Sequence, residues 1–193
     1  MAWIKKILTP KYNSPLVLTF ALVCTVVLLL DTFFPIELIR TYFTSPASLN
    51  FSLVGVLTLF THIIGHAGWE HLIGNMMFIL LLGPILEEKH GAGSLLLMIL
   101  VTALVTSVGN SLLFVGTSSI YGASGIVFML ILLASFTNTE EGRIPLTFLL
   151  IVALYVTKEV TNALTEDNLS QFAHLIGGAC GGLFGLFSGK KKA

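Results

Sequence analysis

Six apolar runs, with nearly all of the charge confined to the stretches between them, constrain this chain more than any other feature. They are Leu16 to Ile36, His71 to Leu86, Ser94 to Phe114, Ser124 to Thr137, Ile144 to Val160 and Gln171 to Phe187. A helix needs roughly 20 mostly apolar residues to cross the hydrocarbon core of a bilayer. The sequence therefore predicts an all-α membrane protein of six transmembrane helices, some of them short. The third and fourth runs are separated by turn residues alone: Gly116, Ser118, Ser119, Gly122 and Gly125. Only 10% of the residues are charged and 55% are hydrophobic, whereas a soluble domain carries about a quarter charged residues. Ten Lys/Arg against ten Asp/Glu leave no net charge to draw a polyanion, which excludes a nucleic-acid partner. At this length one domain is expected, residues 1–193, with short tails at 1–14 and 188–193.

The signs of the charges orient the chain. With the N-terminus inside, Lys5, Lys6, Lys11, Lys89, Arg143, Lys190, Lys191 and Lys192 fall on the cytoplasmic side, and only Arg40 and Lys158 fall outside. That bias puts both termini in the cytoplasm. The first run reads as a retained helix, because Asp31-Thr32-Phe33-Phe34-Pro35 offers no small-residue cleavage site. Cys24 and Cys180 lie in apolar runs and read as small core residues. The one long connection, Glu37 to Glu70, is rich in Leu, Phe and Thr and carries Tyr42, Phe43, Phe51, Phe60 and Trp69. That composition suits a segment lying in the membrane interface, or a partly buried external loop.

Ionisable and polar residues within apolar spans are functional candidates. Of the five histidines, His90 follows Glu87-Glu88-Lys89 in an expected solvated cytoplasmic turn, whereas His62, His66, His71 and His174 map to the outer half. His71 and Asn75 are four apart, on one helix face. The plainer reading of that pair is an interhelical polar contact. Gly122-Ala123-Ser124-Gly125 puts a serine between small residues at the start of a helix, where unpaired N–H groups favour an oxyanion. Most such serines merely pack. Ala173-His174-Leu175-Ile176-Gly177-Gly178 starts a stripe of small residues four apart, continued by Gly181 and Gly185, which lets two helices meet backbone to backbone. A helix carrying Ser124 at its outer end can pack there and bring hydroxyl and imidazole together, as a serine nucleophile and its base require.

Taken in chain order, His-x-x-x-Asn, Gly-x-Ser-Gly and Ala-His-x-x-Gly-Gly in a six-span protein resemble the rhomboid family of intramembrane serine proteases, in its minimal bacterial form, from Thr58 to Leu186. The resemblance implies a rhomboid-like bundle in which Ser124 is the nucleophile and His174 the general base. His71, Asn75 and the Ser124 N–H would form the oxyanion hole. In supporting roles it implies Gly122, Phe128 packed on the imidazole, the close-packing Gly177 and Gly181, His66 in the first loop and a structural Glu87. Where many members carry a Trp-Arg pair, this chain has Leu57-Thr58. The implied reaction is hydrolysis of transmembrane segments of single-span or multi-span proteins by a dyad, with Asp31, Glu166 and Asp167 the nearest acids by topology. His71, Asn75, Ser118, Ser119 and Gln171 would hydrate the site, and the fifth helix with the Glu166–Ser170 loop would gate it. No cofactor or metal is implied, and a bacterial plasma or inner membrane is the expected location. The rival readings are a catalytically silent relative that binds membrane clients and a metal or proton transporter built on the His62/His66 pair. A metal-dependent intramembrane protease lacks its His-Glu-x-x-His pattern here.

Overall fold

The first helix begins at a proline and ends before one. A computed structural model describes residues 12–34, 36–113, 116, 119–136, 146–163 and 169–188. In it α1 spans Pro15–Phe33, with Pro15 in the first turn, where its missing N–H costs nothing. Phe34 is extended, as residues before proline prefer, and the helix stops there.

The long first connection carries structure of its own: α2 (Leu38–Tyr42), α3 (Leu53–Thr61) and one turn of 3-10 helix (His62–Ile64). Asp31 Oδ1 accepts the Ile39 N–H at 2.9 Å and anchors α2 to the end of α1. Ser52 caps α3 by accepting the Gly55 N–H at 3.1 Å. The segment is tied to the rest of the chain by an isolated antiparallel bridge between Ser45 and Ile120. A buried Ser45–Ser107 hydroxyl pair and a hydrogen bond from Ser111 to the Pro46 carbonyl add to it.

Helix α4 covers Trp69–His90, four residues beyond the expected end at Leu86. Glu87, Glu88, Lys89 and His90 are therefore the last turn of a helix, and the expected solvated turn at that place is corrected. The reason is Glu87, which is buried: its two carboxylate oxygens accept the N–H groups of Leu16 and Val17 at 3.1 and 3.0 Å. Those are orphan donors of the first turn of α1, next to the proline that has none to offer. Gly83 lets the two helices close at this end, since a Cβ there would stand 2.8 Å from Val17 Cγ2. Gly91, at φ +79, ends α4 in a conformation that favours glycine, and α5 (Ala92–Leu113) follows at once. Replacing Glu87 with alanine leaves one buried and one half-buried donor unpaired, at about 1–3 kcal/mol each. We expect a loss of about 2–4 kcal/mol in detergent unfolding, with Glu87→Gln, which keeps one acceptor oxygen in place, falling between alanine and wild type.

Helix α6 (Ser124–Ser135) is the centre of the molecule, with seven of its twelve residues buried. It is apolar on every face, the pattern of a helix with neighbours all round. Helices α7 (Leu146–Ala163) and α8 (Leu169–Ser188) complete the described structure. Among the described residues the most extensive helix packing joins α6 to α8. Among the described residues, α1, α4 and α5 are long and apolar enough to cross a membrane, and α6 and the described part of α8 are shorter apolar helices. Twelve residues make α6 about 18 Å long, well short of the roughly 30 Å hydrocarbon core.

Candidate active site

Glycine contacts bring the two candidate catalytic residues to one place. Gly125 follows Ser124, and Ala173 precedes His174; a Cβ on Gly125 would stand 3.2 Å from the Ala173 carbonyl oxygen. One turn further, a Cβ on Gly177 would fall 2.0 Å from the Gly125 oxygen, and one on Gly181 would fall 2.2 Å from the Met129 oxygen. The crossing of α6 and α8 is thus backbone on backbone, which only glycine permits at those positions. Ser124 and His174 line one cavity of about 650 Å³. The ring of Phe128, one turn along α6 from Ser124, lies 4.6 Å from the His174 ring at a tilt of 42°.

Ser124 opens α6 with no side chain capping the helix, so the first N–H groups have no intrahelical partner and face the cavity end. The turn before it depends on Gly122, which has φ +117 and donates its N–H to the His62 carbonyl at 2.9 Å. A Cβ at 122 would meet His71 Cε1 at 2.7 Å and Nε2 at 3.0 Å, so the same glycine also makes room for that ring. His71 Nδ1 accepts the Ala67 N–H at 3.4 Å. In the neutral ring this assigns the proton to Nε2, on the Gly122 side. Asn75, one turn along α4, is buried against the same cavity, and its Nδ2 has no acceptor among the described residues. Two side-chain donors and a helix N-terminus therefore converge on the space beside Ser124, an arrangement that can hold a developing negative charge.

Of the remaining sequence candidates, His62 and Ser119 also line the cavity, whereas His66, Glu87 and Asp31 lie outside it. His66 is buried behind His71, with ring centroids 5.1 Å apart at 63°, and donates Nδ1–H to the Ile64 carbonyl at 2.9 Å. Glu87 is at the far end of α4, on α1. Asp31 is committed to α2; Glu166, Asp167 and Ser118 lie outside the described residues, and of the expected gate loop only Leu169 and Ser170 are described, as the start of α8. The His62/His66 pair does not share a helical face: the chain leaves its 3-10 turn at Gly65 in extended form, and His66 packs on His71. At the place of the family's Trp-Arg pair, Leu57 is 50% exposed while Thr58 is buried, donating to the Gly55 carbonyl and accepting from His62 Nδ1 at 3.3 Å.

Among the cavity residues not singled out in the sequence are Thr106, Gly74 and Phe78. Thr106 had a readable signal, since Thr102, Thr106 and Asn110 recur every four residues along α5 and all three are buried.

A family model described as the Rhomboid domain matches residues 54–191. The chain belongs to the rhomboid family. Its similarity extends to a Bacillus subtilis (strain 168) protein named "Putative rhomboid protease YdcA", which is 30% identical over 132 residues, 64% of this chain. The match covers 62% of that relative, so this chain spans less than two thirds of its length. As a rhomboid with apolar helices long enough to span a bilayer, the chain is an integral membrane protein of a family of intramembrane proteases.

The first loop of this rhomboid is expected to lose stability in acid. Burial pushes the His62 and His66 imidazoles down to about 4, from an ordinary 6.5, against the opposing pull of their carbonyl partners. Between those values the unfolded chain binds the extra protons, so their contribution is complete above pH 6.5 and is lost as pH falls towards 4. Each shift is worth about 3 kcal/mol. The melting temperature in detergent should fall through that window, and His62→Gln with His66→Gln should flatten the fall.

Proposed function

We propose that this rhomboid is a serine endopeptidase that cleaves transmembrane segments of other membrane proteins. What carries the reading is one cavity lined by Ser124, His174, His71 and Asn75, with the N-terminus of α6 opening into it. His174 takes the Ser124 proton as the hydroxyl attacks a peptide carbonyl. The oxyanion receives hydrogen bonds from His71 Nε2, Asn75 Nδ2 and the Ser124 N–H. The His174 imidazolium then gives its proton to the leaving amine, and water hydrolyses the acyl-enzyme. The pair acts as a dyad, and no metal takes part.

In the membrane the six apolar helices all span, with both termini cytoplasmic and the first loop lying in the outer interface. The short α6 then holds Ser124 below the outer surface, where non-helical backbone is tolerated because it lines a wet cavity. Substrate enters sideways past α7 and must unwind locally, because helical amides are shielded by their own hydrogen bonds. Glycine or proline in the substrate helix lowers that cost.

The test is to incubate the detergent-purified chain with a single-span reporter and, separately, with a serine-reactive fluorophosphonate. Cleavage that a chelator does not change, together with labelling mapped to Ser124, is expected. Labelling with no cleavage of any reporter would point to an unsuitable substrate. Neither labelling nor cleavage would make the chain a silent relative.

A further inference from the structure

The serine at the start of α1 stands in a capping position and caps nothing. Ser14 is the N-cap residue, where a serine hydroxyl ordinarily accepts the N–H of the second or third helical residue. Those residues are Leu16 and Val17, and both N–H groups go instead to the Glu87 carboxylate of α4. The Ser14 hydroxyl is thereby released. Its side chain has no hydrogen-bond partner among the described residues, although Ser14 is only 2% exposed. A buried hydroxyl in that state costs free energy unless something outside the chain satisfies it.

Ser14 lines a cavity of about 450 Å³, within the range that holds small ligands and separate from the one at Ser124. The cavity lies where α1 begins, α4 ends and α5 begins. All three helices are long enough to span a bilayer, so this place is level with the headgroups of one membrane surface. The polar lining is Asn13, Ser14, Glu87 and Glu88, with no cationic side chain among the described residues. Glu88 is exposed and forms no ion pair among the described residues. Ile85, also in the lining, is 56% exposed on the outer side of α4, which opens the cavity towards lipid.

We infer that this cavity binds a primary ammonium, supplied by the ethanolamine headgroup of a membrane phospholipid. An ammonium brings one positive charge and three N–H donors, and it offers no acceptor. The cavity presents the complement: the Glu88 carboxylate meets the charge, and the Ser14 hydroxyl and the Asn13 side-chain oxygen are further acceptors. A choline headgroup carries the charge but has no N–H to give Ser14. A glycerol headgroup has hydroxyls but no positive charge for Glu88.

The experiment is thermal unfolding of the detergent-purified full chain, titrated with dioleoyl phospholipids bearing ethanolamine, choline or glycerol headgroups. Free ethanolamine and potassium chloride are titrated separately. A ligand that binds the folded chain raises its melting temperature by mass action. The ethanolamine lipid should do so saturably, with an apparent affinity at least about tenfold above that of the other two, the worth of one charge-assisted hydrogen bond. Glu88→Gln and Ser14→Ala should each lose that preference. Without lipid, Ser14→Ala should melt with wild type, because its hydroxyl caps nothing, whereas removal of a working cap lowers stability. An equal response to all three lipids, or a preference that survives in both variants, would overturn the inference. So would an equal shift from potassium chloride, or a Ser14→Ala chain that melts well below wild type without lipid. A shift from free ethanolamine with none from its lipid would keep the ammonium site and overturn its lipid source. None of these readouts depends on cleavage, so they stand or fall apart from the protease reading.

Discussion

Ser124→Ala and His174→Ala are each expected to bring reporter cleavage to background, a loss of about a thousandfold or more, and the double variant to be no worse than either. The non-additivity follows from the chemistry: without the imidazole the hydroxyl keeps its proton, and without the hydroxyl the base has nothing to deprotonate. Fluorophosphonate labelling should vanish in both, because the probe reports the activated oxygen. His71→Ala and Asn75→Ala remove one oxyanion donor each and should cost about a hundredfold, leaving measurable turnover. Undiminished cleavage by Ser124→Ala would assign the hydrolysis to another nucleophile. Equal losses at all four positions would indicate collapse of the cavity rather than distinct roles.

The second large effect is structural. In Gly177→Val a Cβ would fall 2.0 Å from the Gly125 carbonyl oxygen and 2.7 Å from its carbon, and backbone atoms cannot swing aside as a side chain does. Helices α6 and α8 must then part by more than an ångström, opening the core around Met129 and Leu130, both buried. Overpacking of that kind costs about 3 kcal/mol or more, a drop of about 10 °C in melting temperature for a chain of this size. Gly177→Ala meets the same oxygen and should also fall, whereas Gly93→Ala, with open space at its Cβ, should hold or gain. Activity should fail with the fold, since Gly125 is joined directly to Ser124. A Gly177→Ala variant melting within a degree or two of wild type would show that the crossing can relax.

Much of this was legible in the sequence, for physical reasons that differ from place to place. Apolar runs must be helices where backbone groups meet lipid, so the positions of the helices could be read, although α6 proved only twelve residues long. His71 and Asn75, one turn apart, and Ser124 behind Gly122 could be read because their spacing is local. The last turn of α4 could not. Local composition there reads as solvent exposure; the family resemblance implied a structural Glu87, but not its partner, which is a helix end 70 residues earlier in the chain. The first loop fell between those two cases. Its aromatic, charge-poor composition marked it as structured, but the bridge from Ser45 to Ile120 that ties it to the turn before Ser124 is non-local.

The carboxylate of Glu87 on the start of α1 also sets an order of events during biosynthesis. Helix α1 leaves the ribosome with two backbone donors bare at its leading end, and the group that receives them is polymerised about 70 residues later. Until then α1 can sit in the bilayer but cannot be fastened. Once α4 arrives, the same carboxylate both finishes α1 and draws it against Gly83, so α1 is fastened only when α4 has been made. Truncated nascent chains that end before Glu87 should therefore carry α1 as a separable helix, open to competing partners in the membrane.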